Sequence, residues 1–369
     1  MTAADPATAS RLRQAMAETI TESGDPWRPS FAEVPRHLFV PTFWKQNRQR
    51  TWKPVNAGAP GYLEAIYSDQ ALTTQLHGGE PTSSTSQPSV MLTMLNALDI
   101  HDGQRVLEIG TGTGYNAALL CHRLGDRQIV TIDVDPELTG LAEARLAHSG
   151  YRPAVYTGDG AVGAPQRAPF DRIIATCQLS SVPHAWLEQA AEGAVVVVPI
   201  GWGLARLAVH GQRAEGRFQA GGVQFMPRRP AHGTEATIAP RFGELSTATP
   251  SHTEIPVANI LDRLGFPLSL ALGGYSSCTW TSDTTGELEA IGIWTPDGSV
   301  VRAETNGTVR QAGPRQLWCI AEEIHDLFGA APPDRDDFGL TATRDSQCVW
   351  FKTPDGPHWH LPRENRLPT

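Results

Sequence analysis

Apolar residues recur at helical spacing over residues 7–22, and the run stops at Ser23-Gly24-Asp25-Pro26, a strong breaker group. A second short segment covers 30–39 and closes at Pro41; a connection containing Trp, Pro and Gly follows, to about Gly61. Composition makes 78–88 a loop, and a helix is predicted over 89–98. Beyond it the pattern changes. Short apolar runs at 105–109, 128–133, 154–157, 170–176 and 194–199 alternate with helical segments at 115–124, 137–148 and 183–192. That alternation implies a parallel, doubly wound α/β sheet, in which ligands bind beyond the C-terminal strand ends. Residues 204–210 and 217–226 read as an antiparallel hairpin at the edge of that sheet.

The length of 369 residues exceeds the usual single-domain size. Composition shifts after Pro227-Arg228-Arg229-Pro230, so the expected division is 1–229 and 230–369. The first part has a helical portion (1–66) and a loop-and-helix portion (67–100) ahead of the sheet. The second mixes short helices and strands; Trp294-Thr-Pro-Asp-Gly298 and Trp350-Phe-Lys-Thr-Pro-Asp-Gly356 both read as aromatic strands entering a hairpin turn.

Charge and cysteine usage narrow the class. A net charge of −9 without clustered Lys and Arg argues against a nucleic-acid partner. No run approaches the ~18–20 apolar residues that span a bilayer, and the N-terminus lacks a basic start followed by an apolar block, so no membrane partner or secretory signal is expected. Cys121, Cys177, Cys278, Cys319 and Cys348 are scattered and never form CxxC, which suits reduced thiols in the cytoplasm. His358-Trp359-His360 lacks a third candidate metal ligand, and Cys177 lacks an adjacent base, so neither metal nor nucleophilic chemistry is assigned to them. Asp334, Asp336 and Asp337 around Arg335 read as a solvated turn, and Trp27, Trp44 and Trp52 as candidates for an aromatic peptide groove.

The candidate chemistry begins at Glu108-Ile-Gly110-Thr111-Gly112-Thr-Gly114, which follows a strand and opens a helix. Glycines there let the backbone approach a ligand closely. Alone the motif is weak, because nucleotide-binding dehydrogenases use a similar turn, although their third glycine comes one residue later than Gly114. Three acids sharpen it. Glu108 precedes the glycines, where it would receive the ammonium of a methionine moiety. Asp133, followed by Val134, ends the next strand, where a carboxylate accepts both ribose hydroxyls. Asp159, in Gly158-Asp159-Gly160, follows the third strand, where an acid meets an adenine amine. Together they resemble the class I methyltransferase pattern and imply S-adenosyl-L-methionine as cofactor, with S-adenosylhomocysteine as product.

Five further motifs, in order, resemble the protein-L-isoaspartate O-methyltransferase family: Val34-Pro35-Arg36-His-Leu-Phe39-Val-Pro41, Tyr67-Ser-Asp69-Gln-Ala-Leu72, Ser84-Thr85-Ser86-Gln87-Pro88, Pro199-Ile-Gly201 and Val223-Gln-Phe225-Met-Pro227. The resemblance covers roughly 10–229. It implies a Rossmann-like methyltransferase sheet with an N-terminal helical segment, to which the mixed short helices and strands after Arg229 add an expected smaller C-terminal α+β domain. It also implies Ser86 as the substrate-loop serine, Ser84 and Thr85 as helpers, and Tyr67, Gln87 and Pro88 at the substrate. Ser86 is equally a candidate helix N-cap. Two departures stand out: 73–83 is longer than the family's usual bridge, and Ser84 replaces its usual Thr.

The extension after Arg229 resembles the subgroup in pathways for ribosomally made peptides (graspetides, lanthipeptides, lasso peptides). There a genuine aspartate in a constrained, macrocyclised peptide is methylated and the ester collapses to aspartimide. The extension is then expected to recognise substrate. Housekeeping repair of isoaspartate in damaged proteins is the alternative, and a non-catalytic binding module a third. A carboxylate acceptor is already ionised at neutral pH, so orientation rather than a general base is required.

Overall fold

Asp5 starts the first helix, its carboxylate accepting from the Thr8 N–H at 3.0 Å, and Pro6 occupies the first turn, where its missing N–H is harmless. The structure, a computed structural model, describes residues 5–47, 51–229, 242–328 and 331–362. Helices α1 (Pro6–Ile20), α2 (Arg28–Glu33) and α3 (Arg36–Phe39) lead to a hairpin of β1 (Thr42–Gln46) and β2 (Trp52–Asn56). Helix α4 (Tyr62–Ile66) precedes a second hairpin, β3 (Leu72–His77) and β4 (Glu80–Thr85), and the four strands form one sheet ordered β2-β1-β3-β4.

After α5 (Pro88–Leu98) comes the α/β core: β5 (Val106–Ile109), α6 (Tyr115–Leu124), β6 (Ile129–Asp133), α7 (Pro136–His148), β7 (Ala154–Thr157), β8 (Phe170–Ala175), α8 (His184–Gln189), β9 (Ala190–Ile200), β10 (Gly203–His210) and β11 (Arg213–Gly222). The remaining elements are β12 (Ser251–His252), α9 (Ile260–Leu272), β13 (Ser276–Thr281), β14 (Leu288–Trp294), β15 (Val300–Glu304), β16 (Thr308–Ala312), α10 (Leu317–Phe328), β17 (Phe338–Ala342), β18 (Gln347–Phe351) and β19 (His358–His360). The two Pro-Asp-Gly segments do connect hairpins, β14–β15 and β18–β19.

Strands β5 to β9 are parallel, in the order β7-β6-β5-β8-β9, so the chain runs outward from β5 through β6 and β7 on one side and returns to its other side as β8 and β9. Such a switch point opens a crevice above the strand ends. Side chains alternate across the sheet, as strand geometry requires. Val195 and Val197 of β9 pack with the N-terminal helices, whereas Val196 and Val198 join the C-terminal elements on the other face. Both faces are therefore covered, which explains the continuous apolar runs.

Three expectations change. The β10–β11 hairpin is not at an edge, because β17 pairs with β11 (Ala214 opposite Ala342, Arg217 opposite Gly339) and carries β18 and β19 with it. The central sheet thus has ten strands, three of them from beyond residue 229. The connection over 42–56 and the loop over 78–88 contain paired strands. Their Ser, Thr and Pro content hid them, because ladder bonds and not burial hold them; Gly78 and Gly79, at φ 58° and 90°, make the tight β3–β4 turn. Helix α8 is shorter than expected, since the chain returns to the sheet at Ala190 opposite Phe170. Among the described residues, no helix is long and apolar enough to cross a membrane.

Candidate active site

A cleft of about 750 Å³ opens above the C-terminal ends of β5 and β6. The glycine turn forms its floor. Gly110 sits at φ 96°, and a β-carbon there would lie 2.7 Å from the Thr176 hydroxyl, which donates to the Gly110 carbonyl at 2.7 Å. A side chain is excluded on both counts. Gly114 serves another purpose: its missing β-carbon admits Ala142, so α6 and α7 pack closely.

Asp133 lines the cleft, its carboxylate accepting from the Gly112 N–H at 2.9 Å. Burial pushes its pKa above the ordinary value, against the pull of that N–H and the one at Asp135. Gly110, Thr111, Gly112, Val134 and Gly160 line the same wall. Trp186 braces Gly160 by donating its indole N–H to the carbonyl at 2.8 Å. The donor and acceptor set fits a nucleoside with an amino-acid tail: a carboxylate at the β6 end, each oxygen taking one backbone N–H and keeping a further lone pair, and a side-chain-free turn beside β5.

Two of the expected acids stand back from this wall. Glu108 is fully buried beneath the turn, bonded to Asn116 at 2.7 Å and Thr131 at 2.6 Å. Burial raises its pKa to about 7, opposed by those two hydrogen bonds. Asp159 pairs with Arg228 at 2.5 Å, an arginine on the cleft lining that sequence reasoning passed over.

The substrate loop forms the roof. Pro81 to Gln87 all face the cleft, and a β-carbon on Gly112 would come within 3.8 Å of Ser83 and Ser84. The hairpin is tied down by Gln75 of β3, which donates to Asp135 at 3.1 Å; Asp135 also caps α7 and lies 3.6 Å from Arg229. Ser86 is half-buried on the lining, and Thr85 is buried beside it. Ser86 does not cap α5. The N-cap position is Gln87, and the capping carboxylate comes from Asp69, which accepts from the Ser89 N–H at 2.8 Å and the Gln87 amide at 3.0 Å. Desolvation pushes the Asp69 pKa up, but these bonds and nearby Arg36 hold it below its ordinary value.

Tyr67 and Pro88, expected at the substrate, are not on the lining. Tyr67 is buried behind the loop with its hydroxyl 2.6 Å from the His37 ring, and Pro88 is buried at the first turn of α5. The tryptophans do not join in one groove: Trp27 is core, and Trp44 and Trp52, on β1 and β2, are not on the cleft lining. Cys177 does line it, but burial pushes the thiol up to about 12, leaving no thiolate for nucleophilic work. Among the described residues no cluster could hold a metal.

The residue the sequence reading most undervalued is Arg36. Fully buried, it donates to the carbonyls of Ile66 (2.7 Å), Ser68 (3.3 Å), Gln70 (3.1 Å) and Ser86 (2.9 Å). Two signals were available: the charge itself, set among apolar residues, and its place in the Val34-Pro35-Arg36 motif, which carries the family resemblance without stating what Arg36 does.

The family model for protein-L-isoaspartate(D-aspartate) O-methyltransferase matches residues 23–227. A relative from Archaeoglobus fulgidus named protein-L-isoaspartate O-methyltransferase 1 is 36% identical over 200 residues, 53% of this chain and 81% of that protein. One from Dictyoglomus turgidum, named protein-L-isoaspartate O-methyltransferase, is 33% identical over 205 residues, 54% of this chain and 82% of its own length. A solved structure described as a protein-L-isoaspartate O-methyltransferase superposes with a TM-score of 0.55 at 20% identity, covering 94% of this chain and 100% of its own. Shared fold therefore reaches well past residue 229.

Proposed function

The chain belongs to the protein-L-isoaspartate O-methyltransferase family, and we propose that within it this S-adenosylmethionine-dependent enzyme esterifies an aspartate carboxylate of a constrained, ribosomally made peptide. The supporting observation is the β3–β4 hairpin, which roofs the cleft and is tied across it by Gln75 to Asp135. A pinned roof admits a compact, preshaped acceptor more readily than arbitrary segments of damaged proteins, because ordering a flexible segment beneath it costs entropy. Repair of isoaspartyl residues is the second reading. It is favoured by the family match over residues 23–227 and by relatives at 33–36% identity that carry the isoaspartyl enzyme's name.

Asp133 would accept from the ribose hydroxyls of the cofactor, and the Gly110–Gly112 turn, with Ser83 and Ser84 above it, would hold the amino-acid tail. When bound, the cofactor supplies an electrophilic methyl group on a sulfonium. The Ser86 hydroxyl would donate to one acceptor oxygen and loop N–H groups would hold the other, orienting the carboxylate for attack. Transfer of that methyl group to the carboxylate would give the ester and leave S-adenosylhomocysteine. The next amide nitrogen of the peptide then attacks the ester and expels methanol, closing the succinimide.

Mass spectrometry with a generic isoaspartyl peptide and the macrocyclised peptide encoded beside the gene separates the readings. Methylene-mass gain followed by methanol loss on the macrocycle alone supports tailoring; turnover of the generic peptide alone overturns it in favour of repair. Replacing Ser86 by Ala removes one hydrogen bond to a charged group, so kcat/KM should fall roughly 10- to 100-fold. S-adenosylhomocysteine affinity, measured by calorimetry, should stay unchanged. A parallel loss of affinity would place Ser86 in cofactor binding instead.

A further inference from the structure

Glu108 cannot itself present a carboxylate to the cleft, yet the residues that enclose it transmit its charge in a definite sense. The Thr131 hydroxyl, wholly buried, donates to Glu108 at 2.6 Å and lies 2.6 Å from the Thr111 hydroxyl. A hydroxyl has a single proton. Since Thr131 gives its proton to the carboxylate, Thr111 must donate to Thr131, and the lone pairs of Thr111 are left as acceptors. On the other side Asn116 donates its amide nitrogen to Glu108 at 2.7 Å. An ionised carboxylate accepts only, so it fixes which way this amide points. The Asn116 Oδ1 is then left buried and without a hydrogen-bond partner among the described residues.

Thr111 and Asn116 both belong to the cleft lining, whereas Glu108 does not. Both ends of the network therefore offer acceptors, backed by a buried negative charge. Unsatisfied acceptors of this kind are costly unless a donor arrives. A cation with several N–H groups satisfies both at once.

We propose that Asn116 Oδ1 and Thr111 Oγ1 are the direct acceptors of the ammonium group on the methionine end of the cofactor, with Glu108 as a positioning residue acting through them. The inference rests on the cofactor alone and is indifferent to which peptide is methylated.

The charges facing Glu108 give a second readout. Asp133 on β6 disfavours its ionisation, as burial does, whereas Thr131 on β6 and Asn116 on α6 favour it through hydrogen bonds; Cys121 on α6 stays a neutral thiol, its own pKa raised mainly by burial. An ammonium bound at Asn116 favours the ionised form. Affinity for S-adenosylhomocysteine should therefore weaken as pH falls below about 7, by at most about tenfold per unit.

The test compares S-adenosylhomocysteine with 5′-methylthioadenosine, which keeps the nucleoside and sulfur but has no ammonium. Calorimetry on the full chain should show Asn116→Ala weakening the first by at least about tenfold, one hydrogen bond to a charged group, while leaving the second unchanged. Thr111→Val should act in the same direction, and Glu108→Gln should flatten the pH dependence. Equal losses for both ligands would mean that Asn116 only shapes the cleft and would overturn the proposal, as would no loss for either. Failure of the unmodified chain to bind S-adenosylhomocysteine would instead overturn the cofactor assignment beneath it.

Discussion

A chain ended after Arg229 should aggregate or remain unfolded instead of yielding a smaller methyltransferase. The cut removes β17, β18 and β19 from the central sheet and exposes β11 as an edge along Ala214 to Arg217. An uncovered strand edge is a template for association. It also uncovers apolar surface. Phe218 of β11 stacks edge-on against Phe266 of α9 at 4.8 Å, and Leu207, Val209 and Ala214 share one cluster with Leu268, Leu317, Phe338 and Leu340. Exposing three or four large side chains costs about 1.5–3 kcal/mol each, a loss comparable with the ~5–15 kcal/mol that holds a domain together. The relatives show that the family core can exist without such an extension: 200 matched residues make up 81% of the Archaeoglobus protein. In this chain the β11 face has become interior. Gel filtration and circular dichroism decide the matter. A monomeric truncation with a cooperative melt would show the first 229 residues to be autonomous, and its peptide affinity would then report on the extension.

That interlock was invisible in the sequence for a physical reason. Pairing of Glu215 with Thr341 joins positions more than a hundred residues apart, and nothing in the local pattern of either strand encodes its partner. The parallel core was legible because each strand buries both faces and each helix buries one, so the periodicity of β5 to α7 states its own geometry. Strands β1 to β4 were not, since TFWKQ and EPTSST carry little apolar alternation and are held by their ladders. Within the site the same division holds. Glycines with a required backbone shape and the strand-end Asp133 announced themselves. Gln75, Arg228 and Asn116 did not, because a polar residue facing a cleft looks like one facing water until the chain is folded. Tyr67 and Pro88 differ the other way: their motif is plain in the sequence, but the fold sets both behind the loop, off the cleft lining.

Arg36→Met should cost roughly 3–5 kcal/mol of stability, the range for breaking a buried charged network. Methionine keeps much of the side-chain volume, so packing changes little. What is lost is the donor fork. Four carbonyls, at Ile66, Ser68, Gln70 and Ser86, converge on one guanidinium that is excluded from water and lies 5.9 Å from the centre of the Tyr115 ring. Burial lowers the pKa of this arginine only to about 10, so it is charged at neutral pH and its hydrogen bonds are charge-assisted. Each carbonyl stranded without a donor carries its own desolvation cost of ~1–3 kcal/mol, and only relaxation of the loop or entry of water limits the sum. Arg36→Lys should fall between, because a point ammonium with three donors cannot match a planar fork serving four acceptors. Urea titration monitored by circular dichroism supplies both values. The catalytic consequence is separable at low temperature, where the variant is still folded. Ser86 is held through its own carbonyl, so freeing it should raise KM for peptide while affinity for S-adenosylhomocysteine, whose proposed site is Asp133 and the glycine turn, stays close to the parent value. A variant that unfolds at the parent's urea midpoint would show that water already serves those carbonyls, and that the roof is held in place by β3 and Gln75 instead.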